Sequence, residues 1–337
     1  MSPLVSICIP AYNAEATIAT CLRSVLLQDV PDTEIVLVDN GSTDQTVVIA
    51  RDMLSGHSRA RVIQNGKNVG RIGNWNRCLE EASGKYIKFA FTNDSLLPGA
   101  LSGLVQILES HPSVVIAGSR QKTVHGMPNN LPKVRSDADV CVRESADSLE
   151  FLARHGFASL GSLNGMIYRR SALNQVVPAF RDDIPYFADF VNALELAAIG
   201  ATAFLDAETY LFNEGATGRY HFAGLKNVPG FLNEHRRCTD RHMALLNNHG
   251  RSPKLAFQYL WGRYFWYLGQ GWKIAPQDAW RTFHGYPWHQ VEAVAKTAWF
   301  IVRAGSRERG KESDECGRGS GQWGEAFFDK YFRRIIR

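Results

Sequence analysis

The chain has 337 residues, which is enough for one large domain or two modest ones. Its 45% hydrophobic and 21% charged content is typical of an ordinary globular protein, and a net charge of +5 gives no indication of nucleic-acid binding. The six cysteines are scattered without zinc-type spacing, and the N-terminus lacks the features of a signal peptide, so we expect a reduced, cytoplasmic protein.

The first 118 residues alternate apolar runs with segments of helical period. They predict strands at 5–9, 34–38, 61–64, 86–91 and 114–117, and helices at 14–28, 74–82 and 98–110. Ser42 and Gln45 have the spacing of a capping box for a further helix after the second strand. Continuous apolar strands that alternate with helices predict an α/β fold with a mostly parallel sheet covered on both faces.

The alternation stops after residue 118. Residues 119–145 are polar and contain proline, so we expect an excursion over the rim of the sheet. The pattern then predicts helices near 148–155 and at 187–199, and strands near 166–169 and at 203–210. From about residue 224 the sequence is helical and rich in aromatics, and residues 304–324 are typical of a polar linker before a basic helix at 325–337.

The aromatic C-terminal region has two interpretations. Crossing helices bury tryptophan and phenylalanine routinely, and we favour this reading. Alternatively, its apolar faces, beside Arg303, Arg333, Arg334 and Arg337, rest on an anionic membrane surface. No stretch approaches the length of an uninterrupted apolar membrane span.

Three polar clusters follow predicted strands, at residues 10–13, 39–44 and 92–95. Ligands of open α/β sheets bind outside the carboxyl ends of the strands, so the three clusters are expected to meet at one edge. Taken singly, each cluster is explained as a turn or a helix cap. Their joint placement favours a binding edge.

Each cluster has a role that it can play on a nucleotide sugar. Tyr12 offers a ring for stacking on a base, and Asp39 can accept hydrogen bonds from a base or ribose. Asn93 and Asp94 offer oxygen ligands for Mn²⁺ or Mg²⁺. Such a cation would neutralise a departing diphosphate.

These segments resemble the inverting glycosyltransferases of family 2, which have the GT-A fold. The resemblance is carried by VSICIPAYN (5–13), EIVLVDNGSTDQT (34–46), NVGRIGNWNRCLEEASGKYIKF (68–89) and FTNDSLLPGAL (91–101), and more weakly by GSLNGMIYRRSAL (161–173) and DIPYFADFVNALELAAIG (183–200). It implies a GT-A type, Rossmann-like sheet over residues 1–223, with a nucleotide-binding half (1–118) and an acceptor half (119–223). A helical extension (224–303) and a linker with a basic helix (304–337) would follow.

The resemblance also implies an activity. The chain would transfer a sugar from a nucleotide diphosphate, by default a UDP-sugar, to a saccharide or lipid-linked acceptor hydroxyl with inversion. The product would be a cell-surface polysaccharide or glycoconjugate. Contact with the inner face of the membrane is the alternative to a purely cytoplasmic location.

The family's functional positions can be carried over to this chain. Asp189 falls on the general base, Asn93 and Asp94 fall on the metal-binding motif, and His221 lies on a loop that could contact the diphosphate. Arg71 lies in the segment near the nucleotide, where a guanidinium can pair with phosphate. The positions implied to contact the nucleotide are Pro10, Tyr12, Asn13, Asp39, Asn40, Arg71 and Asn93.

Two departures from the family pattern keep an alternative open. Asp94 is the one charged residue in the metal motif, and Ala188 precedes Asp189 where the family usually has glutamate. A non-catalytic nucleotide-sugar-binding protein of the same fold would explain both. A dinucleotide-dependent oxidoreductase is set aside, since residues 10–13 are not a glycine-rich G-x-G-x-x-G turn.

Overall fold

The structure is a computed structural model that describes residues 2–128, 130–155, 160–214 and 228–253. One nine-stranded sheet forms its centre. The strands are β1 Val5–Ala11, β2 Thr33–Asp39, β3 Ala60–Gln64, β4 Tyr86–Phe89, β5 Ser95–Leu96, β6 Val114–Val124, β7 Val140–Arg143, β8 Ile167–Arg169 and β9 Ala201–Asn213. The helices are α1 Ile18–Leu26, α2 Thr46–Met53, α3 Gly70–Glu81, α4 Ala100–Ser110, α5 Ser145–His155, α6 Arg170–Leu173, α7 Ala188–Ala197 and α8 Val228–Asn248, with a 3₁₀ turn at Leu163–Gly165.

The sheet has the order β3-β2-β1-β4-β8-β6-β9-β5, and β7 pairs with β9. Strands β3, β2, β1 and β4 are parallel, as the alternation of strands and helices requires. Strand β8 runs antiparallel to both β4 and β6, and the second half of the sheet is mixed. The predicted α/β sheet with flanking helices is confirmed, and its N-terminal half is entirely parallel.

Each face of the sheet carries its own hydrophobic core, because successive side chains of a strand point to opposite faces. In β1, Ile7 and Ile9 pack on the side of α1 and α4, whereas Cys8 packs on the side of α3, α5 and α7. Burial of each large aliphatic side chain contributes about 1.5–3 kcal/mol to stability. With both faces covered, the ends of the strands are left for ligands.

Two predictions of local structure were wrong. Residues 119–145 are not only an excursion, because β6 continues to Val124 and β7 returns to pair with β9. The exposed second half of β6 carries polar side chains that concealed the strand in the sequence. The capping box is also absent: α2 begins at Thr46, whose N–H donates to Asp44 Oδ1 (3.0 Å), and the Ser42 hydroxyl is bound to Asp39 instead.

Helix α8 falls in the region that was predicted to be helical, and it packs against α5 and α7. Among the helices within the described ranges, none is both long and apolar enough to cross a membrane. The predicted domain boundary at 223, His221 and the remainder of the C-terminal region lie outside the described residues.

Candidate active site

Strands β1 and β2 end side by side, with Ala11 paired to Asp39. The Asp39 carboxylate is fully buried and accepts hydrogen bonds from the N–H groups of Gly41 (3.2 Å) and Ser42 (3.1 Å) and from the Ser42 hydroxyl. Gly41 has φ of +79°, a conformation that favours glycine. Asp39 therefore closes the turn after β2, and its contact with a base or ribose stays a prediction.

The loop after β1 is tied to this turn by Asn13. Its N–H donates to Ser42 Oγ (2.8 Å), and its Oδ1 accepts from the Thr43 N–H (2.9 Å). On the same loop, Pro10 is half-buried and Tyr12 leaves 50% of its surface exposed. An exposed ring on a firmly held loop is suited to stacking against a flat ligand such as a base.

Asn40 links the end of β2 to the start of α3. Its Nδ2 donates to Asn68 Oδ1 (2.9 Å) and to the Gly70 carbonyl (3.3 Å), and its Oδ1 accepts from Asn65 Nδ2 (3.1 Å) and the Val69 N–H (2.9 Å). These four bonds use the full capacity of one side-chain amide. Asn40 therefore positions the segment that enters α3, and its predicted direct contact with a nucleotide stays untested.

Asp94, from the predicted metal motif, is turned into the protein. It is 5% exposed, and its oxygens accept hydrogen bonds from Asn164 Nδ2 (3.0 Å) and the Asn213 N–H (3.2 Å). Beneath it lies Lys88, fully buried in β4, whose amine donates to the carbonyls of Asn164 and Phe89 (3.2 Å to the latter). Burial raises the pKa of Asp94 to about 6 and lowers the pKa of Lys88 to about 7, while the attraction between them opposes both shifts.

Asp94 and Asn93 offer Mg²⁺ or Mn²⁺ one buried carboxylate and one side-chain amide, and substrate phosphates commonly supply the other ligands of such an ion. Metal binding by these two residues stays a prediction. Both Asp94 oxygens are already hydrogen-bonded, and Asn93 Oδ1 accepts from the Thr17 hydroxyl (3.2 Å). Over the part of the chain that the structure describes, no three His, Cys, Asp or Glu side chains group together in a way that could hold a metal ion.

Arg71 contacts the segment that precedes α7. Its guanidinium lies over the Trp75 ring, 5.0 Å from the ring centroid, and donates to the Pro185 carbonyl. It also lies close enough to Asp189 to lower the pKa of that carboxyl. The structure thus places Arg71 beside the predicted base, and its contact with a diphosphate stays a prediction.

Asp189, the predicted base, is a half-buried residue in the first turn of α7. Its Oδ1 accepts a hydrogen bond from the Phe190 N–H (2.9 Å). Burial raises the pKa of Asp189, against the opposing effects of Arg71 and the Phe190 amide. A carboxylate with a raised pKa holds a proton more strongly and is therefore a better proton acceptor. Its pKa also lies closer to the working pH, where a general base is most efficient.

A continuous group of contacts joins the two parts of the predicted site. The Phe91 N–H donates to Asn164 Oδ1 (3.4 Å), and the Phe91 ring lies 5.6 Å from the Trp75 ring. Trp75 in turn supports Arg71, which faces Asp189. The predicted metal motif and the predicted base therefore lie at the two ends of one packed cluster.

Sequence reasoning missed several residues that shape this site. Lys88 was visible as a single charge inside an apolar run, a signal that a buried partner must lie nearby. Asn164 and Asn213, which hold Asp94, come from distant segments; Asn164 lies in the weaker match at 161–173 but was not singled out, and no motif indicated Asn213. Glu234 on α8 accepts from the Tyr186 N–H (2.9 Å), and no motif indicated it.

Comparison with known proteins relates part of this chain to a described family. The family model described as "Glycosyl transferase family 2" matches residues 6–177. This chain is also 34% identical to a GalNAc(5)-diNAcBac-PP-undecaprenol beta-1,3-glucosyltransferase of Campylobacter jejuni over 105 residues. The match covers 31% of this chain and 34% of that protein. Among the curated relatives compared, the matches span 14–62% of each relative's length.

Solved structures share the fold. S. aureus TarS 1-349, in complex with UDP-GlcNAc, superposes with a TM-score of 0.53 at 20% identity, over 82% of this chain and 83% of that one. The mannosyltransferase PcManGT from Pyrobaculum calidifontis, in complex with GDP-Man and Mn²⁺, gives a TM-score of 0.52 at 16% identity, over 88% and 85%. At these identities the likeness concerns the fold alone.

Proposed function

The chain belongs to glycosyl transferase family 2, and from this premise we propose that it transfers a sugar from a nucleoside diphosphate sugar to an acceptor hydroxyl with inversion. The observation that carries the proposal is the half-buried Asp189, whose raised pKa suits a base and which lies at one end of the cluster that reaches the strand ends. The product would be a cell-surface polysaccharide or glycoconjugate.

The proposed donor is a UDP-sugar, in keeping with the TarS complex with UDP-GlcNAc, although another similar fold holds GDP-Man. The proposed acceptor is a saccharide or a lipid-linked saccharide, in keeping with the name of the C. jejuni relative. A cytoplasmic location, with contact at the inner face of the membrane as the alternative, is part of the proposal.

In the proposed reaction the acceptor oxygen forms a bond to the anomeric carbon, and the bond from that carbon to the diphosphate oxygen breaks. Asp189 takes the proton of the acceptor hydroxyl, so that the attacking oxygen gains no lasting positive charge. The electron pair of the broken bond leaves with the nucleoside diphosphate. Tyr12 holds the base by stacking, which fixes the donor at the ends of β1 and β2.

The predicted divalent cation, Mn²⁺ or Mg²⁺, enters this proposal only as an ion carried by the diphosphate, and no step depends on it. We expect Mn²⁺ alone to give no binding heat in calorimetric titration, because one buried carboxylate (Asp94) and one neutral amide (Asn93) attract a divalent cation only weakly without a diphosphate. Mn²⁺ is expected to strengthen the binding of UDP, which carries a diphosphate, and not the binding of uridine, which does not. Tight binding of Mn²⁺ to the free protein would contradict this expectation.

The ring of Tyr12 is expected to contribute directly to nucleotide binding. Tyr12→Ala should weaken UDP binding by about 1–3 kcal/mol, the usual range for loss of one stacking contact with a base. Tyr12→Phe is the matched control and should bind UDP as the wild type does, since it keeps the ring. Because Tyr12 is exposed, neither change should lower the melting temperature. Equal UDP affinity in all three proteins would remove Tyr12 from the donor site.

The whole proposal is tested by a thermal-shift screen of nucleotide sugars followed by a transfer assay. A donor that binds the native state raises the melting temperature, and that donor is then offered with saccharide and lipid-linked acceptors. Release of the nucleoside diphosphate together with a glycosylated product of inverted configuration is the expected result. Binding without hydrolysis or transfer would favour the alternative, a non-catalytic nucleotide-sugar-binding protein, which Ala188 before Asp189 also motivates.

A further inference from the structure

The segment just before α7 is held from two sides by different helices. From α3, Arg71 donates to the Pro185 carbonyl. From α8, Glu234 Oε2 accepts a hydrogen bond from the Tyr186 N–H (2.9 Å). Two consecutive residues are therefore fixed by their backbone groups, three and four positions before Asp189.

Aromatic contacts extend the hold of α8 on this segment. The Phe231 ring lies 5.4 Å from the Tyr186 ring and 5.1 Å from the Phe187 ring, and His235 meets Phe187 edge-on at 5.3 Å. Phe187 is the N-cap residue directly before α7, and its carbonyl accepts the first helical bond, from the Val191 N–H (2.8 Å). The placement of Phe187 therefore sets the direction of the first turn, which carries Asp189.

Glu234 is suited to a fixed role. It is 7% exposed, so its hydrogen bond to the Tyr186 N–H is shielded from competing water. Burial raises the pKa of Glu234, and the hydrogen bond from the Tyr186 N–H, followed by the nearby Arg237 and Arg71, opposes that effect. Arg237 also forms an ion pair with Asp183 (3.5 Å), which adds a second link between α8 and the same segment.

We infer that Glu234 is a positioning residue that fixes Asp189 through the backbone of residues 185–187, so that α8, which lies outside the matched family region, completes the acceptor side of the site. The inference rests on the proposed role of Asp189 as the base. Glu234 must supply an acceptor oxygen within hydrogen-bond distance of the Tyr186 N–H, and the negative charge of its carboxylate is secondary. If the charge of Glu234 mattered most, removing it would impair the site; if the length of the side chain matters most, shortening it would. Two conservative variants therefore distinguish these possibilities.

The test compares E234Q, which keeps the reach and loses the charge, with E234D, which keeps the charge and retracts the oxygen by one methylene. The control is D240A, on the same helix, where Asp240 is exposed and paired with Arg236 (3.9 Å). Three quantities are measured in each: hydrogen exchange of the Tyr186 amide, the UDP dissociation constant, and kcat for transfer. We expect E234Q and D240A to match the wild type in all three.

E234D is expected to exchange the Tyr186 amide at least tenfold faster and to lose at least tenfold in kcat, with a UDP dissociation constant within twofold of the wild type. Loss of kcat in E234Q with retention in E234D would overturn the inference, and so would equal Tyr186 exchange in all proteins. If the wild type transfers no sugar, the proposed function fails by itself. Hydrogen exchange would then still decide whether Glu234 holds the segment.

Discussion

Replacing Asp189 with asparagine is expected to lower kcat for sugar transfer by about 10²–10⁴-fold, the usual contribution of a positioned general base. Asparagine has nearly the same shape, but its neutral amide cannot take the proton of the acceptor hydroxyl. Its Oδ1 can still accept the hydrogen bond from the Phe190 N–H that Asp189 accepts now. The fold and the UDP dissociation constant should therefore be unchanged, and the loss should appear in kcat.

The control for this change is Asp52→Asn, which removes an exposed carboxylate from α2, far along the chain from the base. It should match the wild type in melting temperature, UDP binding and transfer rate. Initial rates at saturating donor, combined with calorimetric titration of UDP, separate catalysis from binding. Full activity of the Asp189→Asn variant would remove Asp189 from the mechanism.

The parts of the fold that the sequence predicted well are those governed by local pattern. Strands β1 and β2 are continuous apolar runs, and α7 was predicted within two residues at either end, because period and length determine such elements. Strand β7 was missed, since it has no buried residue and owes its place to pairing with β9. Pairing with a distant strand leaves little trace in the local sequence.

The residues of the candidate site also differ in whether local sequence could predict them. Tyr12 could be proposed because it directly follows the first predicted strand, and Asp189 because the family resemblance implies a general base at its position. The sequence did not predict the partners of Asp94, which accepts hydrogen bonds from Asn164 and Asn213 above a buried lysine. The direction of a side chain depends on partners that lie 70 and 119 residues away in the chain. Local pattern cannot supply that information.

His242, on α8, makes the free energy of unfolding of this protein depend on pH. Its ring is fully buried, its Nε2 donates to the Leu149 carbonyl (3.0 Å), and it meets the Phe190 ring edge-on at 6.0 Å. Its Nδ1 has no hydrogen-bond partner within the described residues, so a second proton there would be unsatisfied. Burial lowers the pKa of His242 to about 4, and the bond to Leu149 opposes that shift.

Because the pKa of His242 is about 4 in the folded chain and 6.5 as the ordinary value, the unfolded chain binds the extra proton first as the pH falls. The stabilisation is therefore complete above pH 6.5 and is lost progressively as the pH falls to about 4. At about 1.4 kcal/mol per pH unit, the loss amounts to about 3 kcal/mol. Other groups titrate in this range, so the comparison must be made with a matched variant.

His242→Gln is that variant, because the glutamine amide can still donate to the Leu149 carbonyl but does not titrate. The free energy of unfolding of both proteins is measured with urea at pH 7, 5.5 and 4. We expect the wild type to lose about 3 kcal/mol more than the variant between pH 7 and pH 4. Parallel losses would mean that His242 is not the group responsible. Since α8 also carries Glu234, the segment before Asp189 should lose its contacts with α8 at a higher pH in the wild type than in the variant.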